Sequence, residues 1–195
     1  MTYVWEPAPL ADVVALFRDF EAPWWVSGGH AIELAIGRSY REHGDVDISL
    51  LRRDHLQVRS LLAGWDCHAA DPPGQLRPWI AGEVLPPHVH DIWVREREGG
   101  PWRFQLMLDE SDGDTWIFRR NSRIRLPLNE VIVPGSHPPR IAAEVQLLYK
   151  ARGLRAKDEQ DFSEVLPLLT PAQRNWLASG LSVEFGNHPW IPRLS

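Results

Sequence analysis

Residues 44–51 read Gly-Asp-Val-Asp-Ile-Ser-Leu-Leu, and this polar–apolar alternation predicts a β-strand that buries one face. Side chains two apart on a strand share a face, so Asp45 and Asp47 point one way while Val46 and Ile48 point to the core. Two carboxylates held side by side oppose each other's ionisation, and a divalent cation removes that conflict. Mg²⁺ takes one or two carboxylates and completes its octahedron with phosphate oxygens and water, so Asp45 and Asp47 are the candidate metal ligands. Upstream, residues 24–37 read as a short buried strand, a turn at Ser27-Gly28-Gly29 and a helix closed by Gly37. The first N–H groups of a helix are unpaired and favour anions, and glycine lets a phosphate come close to the backbone. Ser27, Gly28 and Gly29 are therefore the candidate phosphate turn. A phosphate turn followed by a metal-binding strand suits phosphoryl or nucleotidyl transfer, where positioning and charge neutralisation carry most of the catalysis. Arg38 and Arg41, between the two, either contact phosphate or pair with Glu33 and Glu42; the sequence leaves both open.

Composition sets limits around this pattern. A length of 195 residues allows one large domain or two small ones. The net charge of −5 argues against general nucleic-acid binding, which needs a cationic surface for counterion release. A single cysteine, Cys67, excludes an internal disulfide and a cysteine-rich zinc site. Neither a secretory leader nor a membrane-spanning run is legible, so the expectation is a soluble cytoplasmic protein. His88 and His90 share a strand face but lack a third ligand at recognisable spacing.

Along the chain, residues 8–20 carry a helical apolar pattern, 65–70 a short strand, and 71–87 a Pro- and Gly-rich irregular stretch. A hairpin is expected over 90–110 with its bend at Gly99-Gly100, then an edge strand near Trp116. From about residue 139 the pattern is helical. The expected class is α+β: a mixed β-sheet flanked by helices in residues 1–135, with a helical region over 136–195 packed on it.

From Trp24 to Asp54 the chain resembles the nucleotidyltransferase superfamily related to DNA polymerase β. Within it the likeness is to the aminoglycoside 2''-adenylyltransferase-like and lincosamide nucleotidyltransferase group, whose motifs run W-x-x-G-G-W-A-I/L-D and G-R-x-T-R-x-H-x-D-I-D. Gly28, Gly29, Ala31, Gly37, Arg38, Arg41, His43, Asp45 and Asp47 match, while His30 stands for the tryptophan and Glu33 for the aspartate. The segments PWRFQLMLDE, AAEVQLLYKARG and KDEQDF also look like the group. The resemblance implies a two-metal Mg²⁺ site, ATP or another NTP as substrate, and AMP transfer to a hydroxyl of a small aminoglycoside-like acceptor. It implies that Lys150 reaches the nucleotide phosphates, a plain surface lysine being the alternative. It also implies a third carboxylate on a neighbouring strand. Gln105 stands nearest the centre of that strand and is no base, so Asp109 and Glu110 are the candidates. Gln105 favours a competing expectation, a weakly catalytic nucleotide-binding regulator or toxin–antitoxin-type component acting on a protein partner.

Overall fold

The computed structural model describes residues 3–195. Its elements begin with α1 (Leu10–Leu16), β1 (Trp24–Ser27), α2 (Gly28–Ile36), β2 (Asp47–Leu51), α3 (His55–Leu61), β3 (Asp66–Ala70) and β4 (Leu76–Pro78). There follow β5 (Asp91–Arg95), β6 (Phe104–Asp112), β7 (Thr115–Ile117), β8 (Arg125–Pro127) and α4 (Leu128–Val131). The later helices are α5 (Ala143–Lys150), α6 (Ala156–Val165) and α7 (Pro171–Phe185). Contacts divide the chain into two compact units, one of Met1–Val26 with Glu42–Ser111, the other of Ser27–Arg41 with Asp112–Ser195.

The first unit is built on a mixed sheet in the order β1-β2-β6-β5-β3-β4. β2 runs parallel to β6, whereas β6–β5, β5–β3 and β3–β4 are antiparallel. Period-two alternation sets the faces. In β6, Phe104, Leu106 and Leu108 are fully buried while Gln105 and Met107 are half-buried, and in β5 Ile92 and Val94 are buried between half-buried neighbours. Phe17, just beyond α1, and Trp65, just beyond α3, pack their rings on Phe104 at centroid distances of 6.5 and 5.5 Å. Cys67 lies on the core side of β3, where burial pushes its thiol up to about 11, so it is an inert neutral group. The expected helices, strands and hairpin form. β4 appears inside the stretch expected to be irregular, because three residues are too few to carry a readable period, and its Pro78 is tolerated on an edge strand.

In the second unit α2 packs on α5 and α6, and α5 on α6 and α7. Compactness groups α2 with the late helices. The β7–β8 hairpin presents Trp116, which with Phe118 meets Tyr149 of α5 at 6.2 and 4.9 Å. Thr170 caps α7 through the N–H of Gln173. Beyond α7, Trp190 stacks on Phe162 of α6 at 4.3 Å and donates its indole N–H to Glu159 at 2.6 Å. His188 donates from Nε2 to the Ala151 carbonyl at 3.0 Å and accepts the Trp190 N–H on Nδ1 at 3.2 Å, which fixes its tautomer. Among the described residues, no helix is long and apolar enough to cross a membrane. Phe162 is fully buried in this stack, so Phe162→Ala is expected to cost about 3–5 kcal/mol, read as a lowered urea midpoint at unchanged slope.

Candidate active site

The carboxylate strand belongs to the first unit. The Val46 carbonyl accepts the Gln105 N–H at 2.8 Å, so pairing with β6 begins just before β2 itself. Val46 is buried, and Asp45 and Asp47 on either side of it are half-exposed, as the alternation requires. In the parallel register Asp47 stands beside Gln105 and Leu51 beside Asp109. Four residues of strand span about 13 Å, so Asp109 lies well along β6 from the level of Asp47. Asp109 is also only 3% exposed. Glu110 accepts from Arg52 Nε at 2.6 Å. The same guanidinium donates to the carbonyls of Pro86, Pro87 and Val89 at 3.3, 3.1 and 2.7 Å, so the Arg52–Glu110 pair anchors the loop before β5. Neither acid expected from the sequence shares the level of Asp47. Gln105 does, with Trp93 of β5 on its other side. His88 and His90 take different partners: His88 Nε2 lies 2.8 Å from Asp71, and His90 Nδ1 lies 2.9 Å from Arg52.

The Ser27-Gly28-Gly29 segment, the candidate phosphate turn, belongs to the second unit. Ser27 is extended (φ −128°) and precedes α2, which Gly28 opens at φ +66°, a conformation that disfavours any side chain. The Gly28 N–H donates to Oε1 of Gln146, in α5, at 2.7 Å. Glu33 accepts from Ser39 Oγ at 2.9 Å and from the Tyr40 N–H at 3.0 Å, bending the chain after Gly37 back toward α2. Arg38, 58% exposed, pairs with Glu164 of α6. Arg41 reaches Asp161 of α6 through Nε at 2.8 Å and Nη2 at 3.1 Å. The Lys150 ammonium meets the same Asp161 carboxylate at 2.6 Å, and Tyr40 donates its hydroxyl there too. Asp158 lies 3.8 Å from Lys150 and accepts from Arg155 Nε at 2.7 Å.

Electrostatics follow from that crowding. Burial weighs against the Asp161 charge, but hydrogen bonds from Arg41 and Lys150 outweigh it and hold the carboxyl below its ordinary value. Burial likewise opposes the Arg41 charge, and Asp161 more than restores it. The Tyr40 hydroxyl is pushed up by burial and by the neighbouring Asp161. Arg38 and Arg41 thus pair with acids more than a hundred residues away in sequence, a separation at which spacing carries no signal. Gln146 had a weak signal: a polar side chain among the buried Val145, Leu147 and Leu148 has to find a partner.

Comparison with known proteins bears on this arrangement. Residues 9–71, which hold both the glycine turn and the two aspartates, match the family model for aminoglycoside-2''-adenylyltransferase. The chain resembles the antibiotic nucleotidyltransferases. The lincosamide antibiotic adenylyltransferase LnuA, solved with lincomycin bound, superposes with a TM-score of 0.57 at 17% identity, over 85% of this chain and 99% of that one. ANT(2'')-Ia in complex with adenylyl-2''-tobramycin gives 0.57 at 13% identity, over 89% and 95%. The solution structure of ANT(2'')-Ia gives 0.55 at 12% identity, over 91% of each chain. At these identities the structural likeness is one of fold. No curated protein matches the chain in sequence.

The Asp161 network makes a pH-dependent prediction. Its carboxyl titrates below the unfolded value, so its stabilisation is complete above the ordinary aspartate pKa of about 3.9 and is lost as pH falls through the lower folded value. Asp161→Asn is expected to cost about 3–5 kcal/mol at neutral pH, because two largely buried cations lose their shared partner. Urea titrations are expected to show that difference constant down to about pH 4 and shrinking below it.

Proposed function

We propose that this chain is a nucleotidyltransferase that moves AMP from ATP, or the corresponding group from another NTP, to a hydroxyl of a small antibiotic-like acceptor in the cytoplasm. The observation that carries the proposal is the Asp45–Val46–Asp47 alternation at the edge of β2, inside the stretch matched by the aminoglycoside-2''-adenylyltransferase model. Two half-exposed carboxylates are hard oxygen donors of the kind Mg²⁺ takes, so the residues fit one or two such ions. When bound, Mg²⁺ would offset the charge of the triphosphate and of the leaving pyrophosphate. Ser27, Gly28 and Gly29 form the phosphate turn. Since the Gly28 N–H is taken by Gln146, the backbone donors for phosphate are those that follow it. Arg41 and Lys150 lend positive charge that they share with Asp161, and Arg38 adds an exposed cation. The acceptor oxygen forms its bond to the α-phosphorus as the bond to pyrophosphate breaks, and the hydroxyl proton leaves to a base. The register disfavours Asp109 for that base, and Glu110 is engaged with Arg52.

Asp45→Asn and Asp47→Asn are each expected to lower Mg²⁺-dependent transfer by about 10²-fold or more, measured with labelled ATP and a panel of lincosamides and aminoglycosides. Equal MgATP binding and equal transfer by wild type and both variants would sink the metal-site proposal.

The neutral Gln105 beside Asp47 favours a second reading, a nucleotide-binding regulator that transfers slowly and acts on a protein partner. Gln105→Asp tests the point, since it sets a carboxylate at the level of Asp47. It is expected to raise the transfer rate by about tenfold or more, as a general base in reach should. No antibiotic adduct from either protein, together with labelling of a co-purified protein, decides for the regulator.

A further inference from the structure

Gln146 is a buried polar residue to which the function just described gives no role of its own. It is 6% exposed among Val145, Leu147 and Leu148 on α5, where an amide is costly unless its groups are bonded. Its Oε1 accepts the Gly28 N–H at 2.7 Å, joining positions 118 residues apart. An N–H can only donate, so the bond fixes the amide with its oxygen on Gly28 and its NH₂ turned away. The first of the unpaired donors at the start of α2 is thereby taken up, and the direction in which the next ones point is set. One turn along α5, on the same face, Lys150 binds Asp161, which also holds Arg41. α5 therefore braces the segment 28–41 at both ends, its start through Gln146 and its close through Lys150 and Asp161.

The residue type is informative. A glutamate at this position would accept the same bond, more strongly for being charged, and would be favoured by the positive start of α2 and by Lys150 a turn away. Against those gains stands the cost of burying the charge. A neutral amide supports the turn while leaving the field of the helix start to another anion.

We propose that Gln146 is a positioning residue of the phosphate turn: it holds Gly28 so that the following backbone donors face the nucleotide phosphates, and its neutrality keeps a competing charge away from them. This rests on the assignment of Ser27-Gly28-Gly29 to the triphosphate.

The test compares wild type, Gln146→Glu and Gln146→Leu in the full chain, titrated calorimetrically with a non-hydrolysable ATP analogue plus Mg²⁺ and, separately, with adenosine. Thermal unfolding is recorded on the same samples. Gln146→Glu keeps the acceptor for Gly28, so it is expected to unfold near the wild-type temperature, to bind adenosine as wild type does, and to bind the triphosphate about tenfold more weakly or worse. Gln146→Leu loses the acceptor and is expected to lose about three- to tenfold in triphosphate affinity with a lowered Tm. A purely structural role predicts instead that Gln146→Glu binds the triphosphate like wild type, and that result overturns the proposal while leaving the phosphate turn intact. If Gln146→Glu does not fold, Gln146→Leu decides, and undiminished triphosphate affinity there overturns the proposal. Failure of wild type itself to bind the analogue overturns the phosphate-turn assignment and this inference with it.

Discussion

The parallel pairing of β2 with β6 is the constraint on which the carboxylate half of the candidate site depends. Parallel strands exchange slanted, evenly spaced hydrogen bonds, so one fixed pair sets every other. Here the bond from the Gln105 N–H to the Val46 carbonyl and the register Asp47↔Gln105 set it. From Ile48 to Leu51 the strand is buried on both faces and Asp47 alone is half-exposed, so a slip of one residue would take Asp47 into the core. The apolar residues therefore enforce the register, and the register decides which β6 side chain accompanies the aspartates. That side chain is an amide. The acids further along β6 are left to other work, Glu110 in holding Arg52 and through it the carbonyls of the Pro86–Val89 loop.

The second unit depends on charge rather than on apolar alternation at the corresponding point. Asp161 is wholly buried and is tolerable there only because Arg41, Lys150 and Tyr40 all donate to it. Those donors come from the segment after α2 and from α5, so one carboxylate of α6 joins three separate pieces of chain. Breaking any donor leaves the others with an imbalance. This explains why a short segment such as 37–41, opened by Gly37, can hold a defined course with little regular structure of its own.

The sequence was legible where periodicity is local. The strand β2 just after Asp45, the Gly28 start of α2, the Gly37 cap and the hairpin into β6 all follow from local spacing. The family likeness was carried by residues 9–71, which hold the first three of these features but not the hairpin. What escaped were relations fixed by the tertiary fold. β4 and β8 are three-residue strands without a period, and α4 is a single turn. The partners of Arg38 and Arg41 lie on α6, so a guess from neighbouring glutamates had no means of finding them. The level of Asp109 against Asp47 depends on where two strands separated by α3 and β3–β5 come into register, which no local pattern encodes.

These relations also shift the weight within the proposed chemistry. Arg41 and Lys150 both bind Asp161 and Arg155 binds Asp158, so the cations of this cluster already share their charge with buried carboxylates. A triphosphate carries far more negative charge than what remains can balance. Under the proposed function, triphosphate binding at the α2 start would lean on its backbone donors, with side-chain cations in a secondary part. Oriented backbone dipoles cost nothing to reorganise once the turn is fixed, which makes the bond that fixes it more consequential than the count of nearby arginines and lysines would suggest.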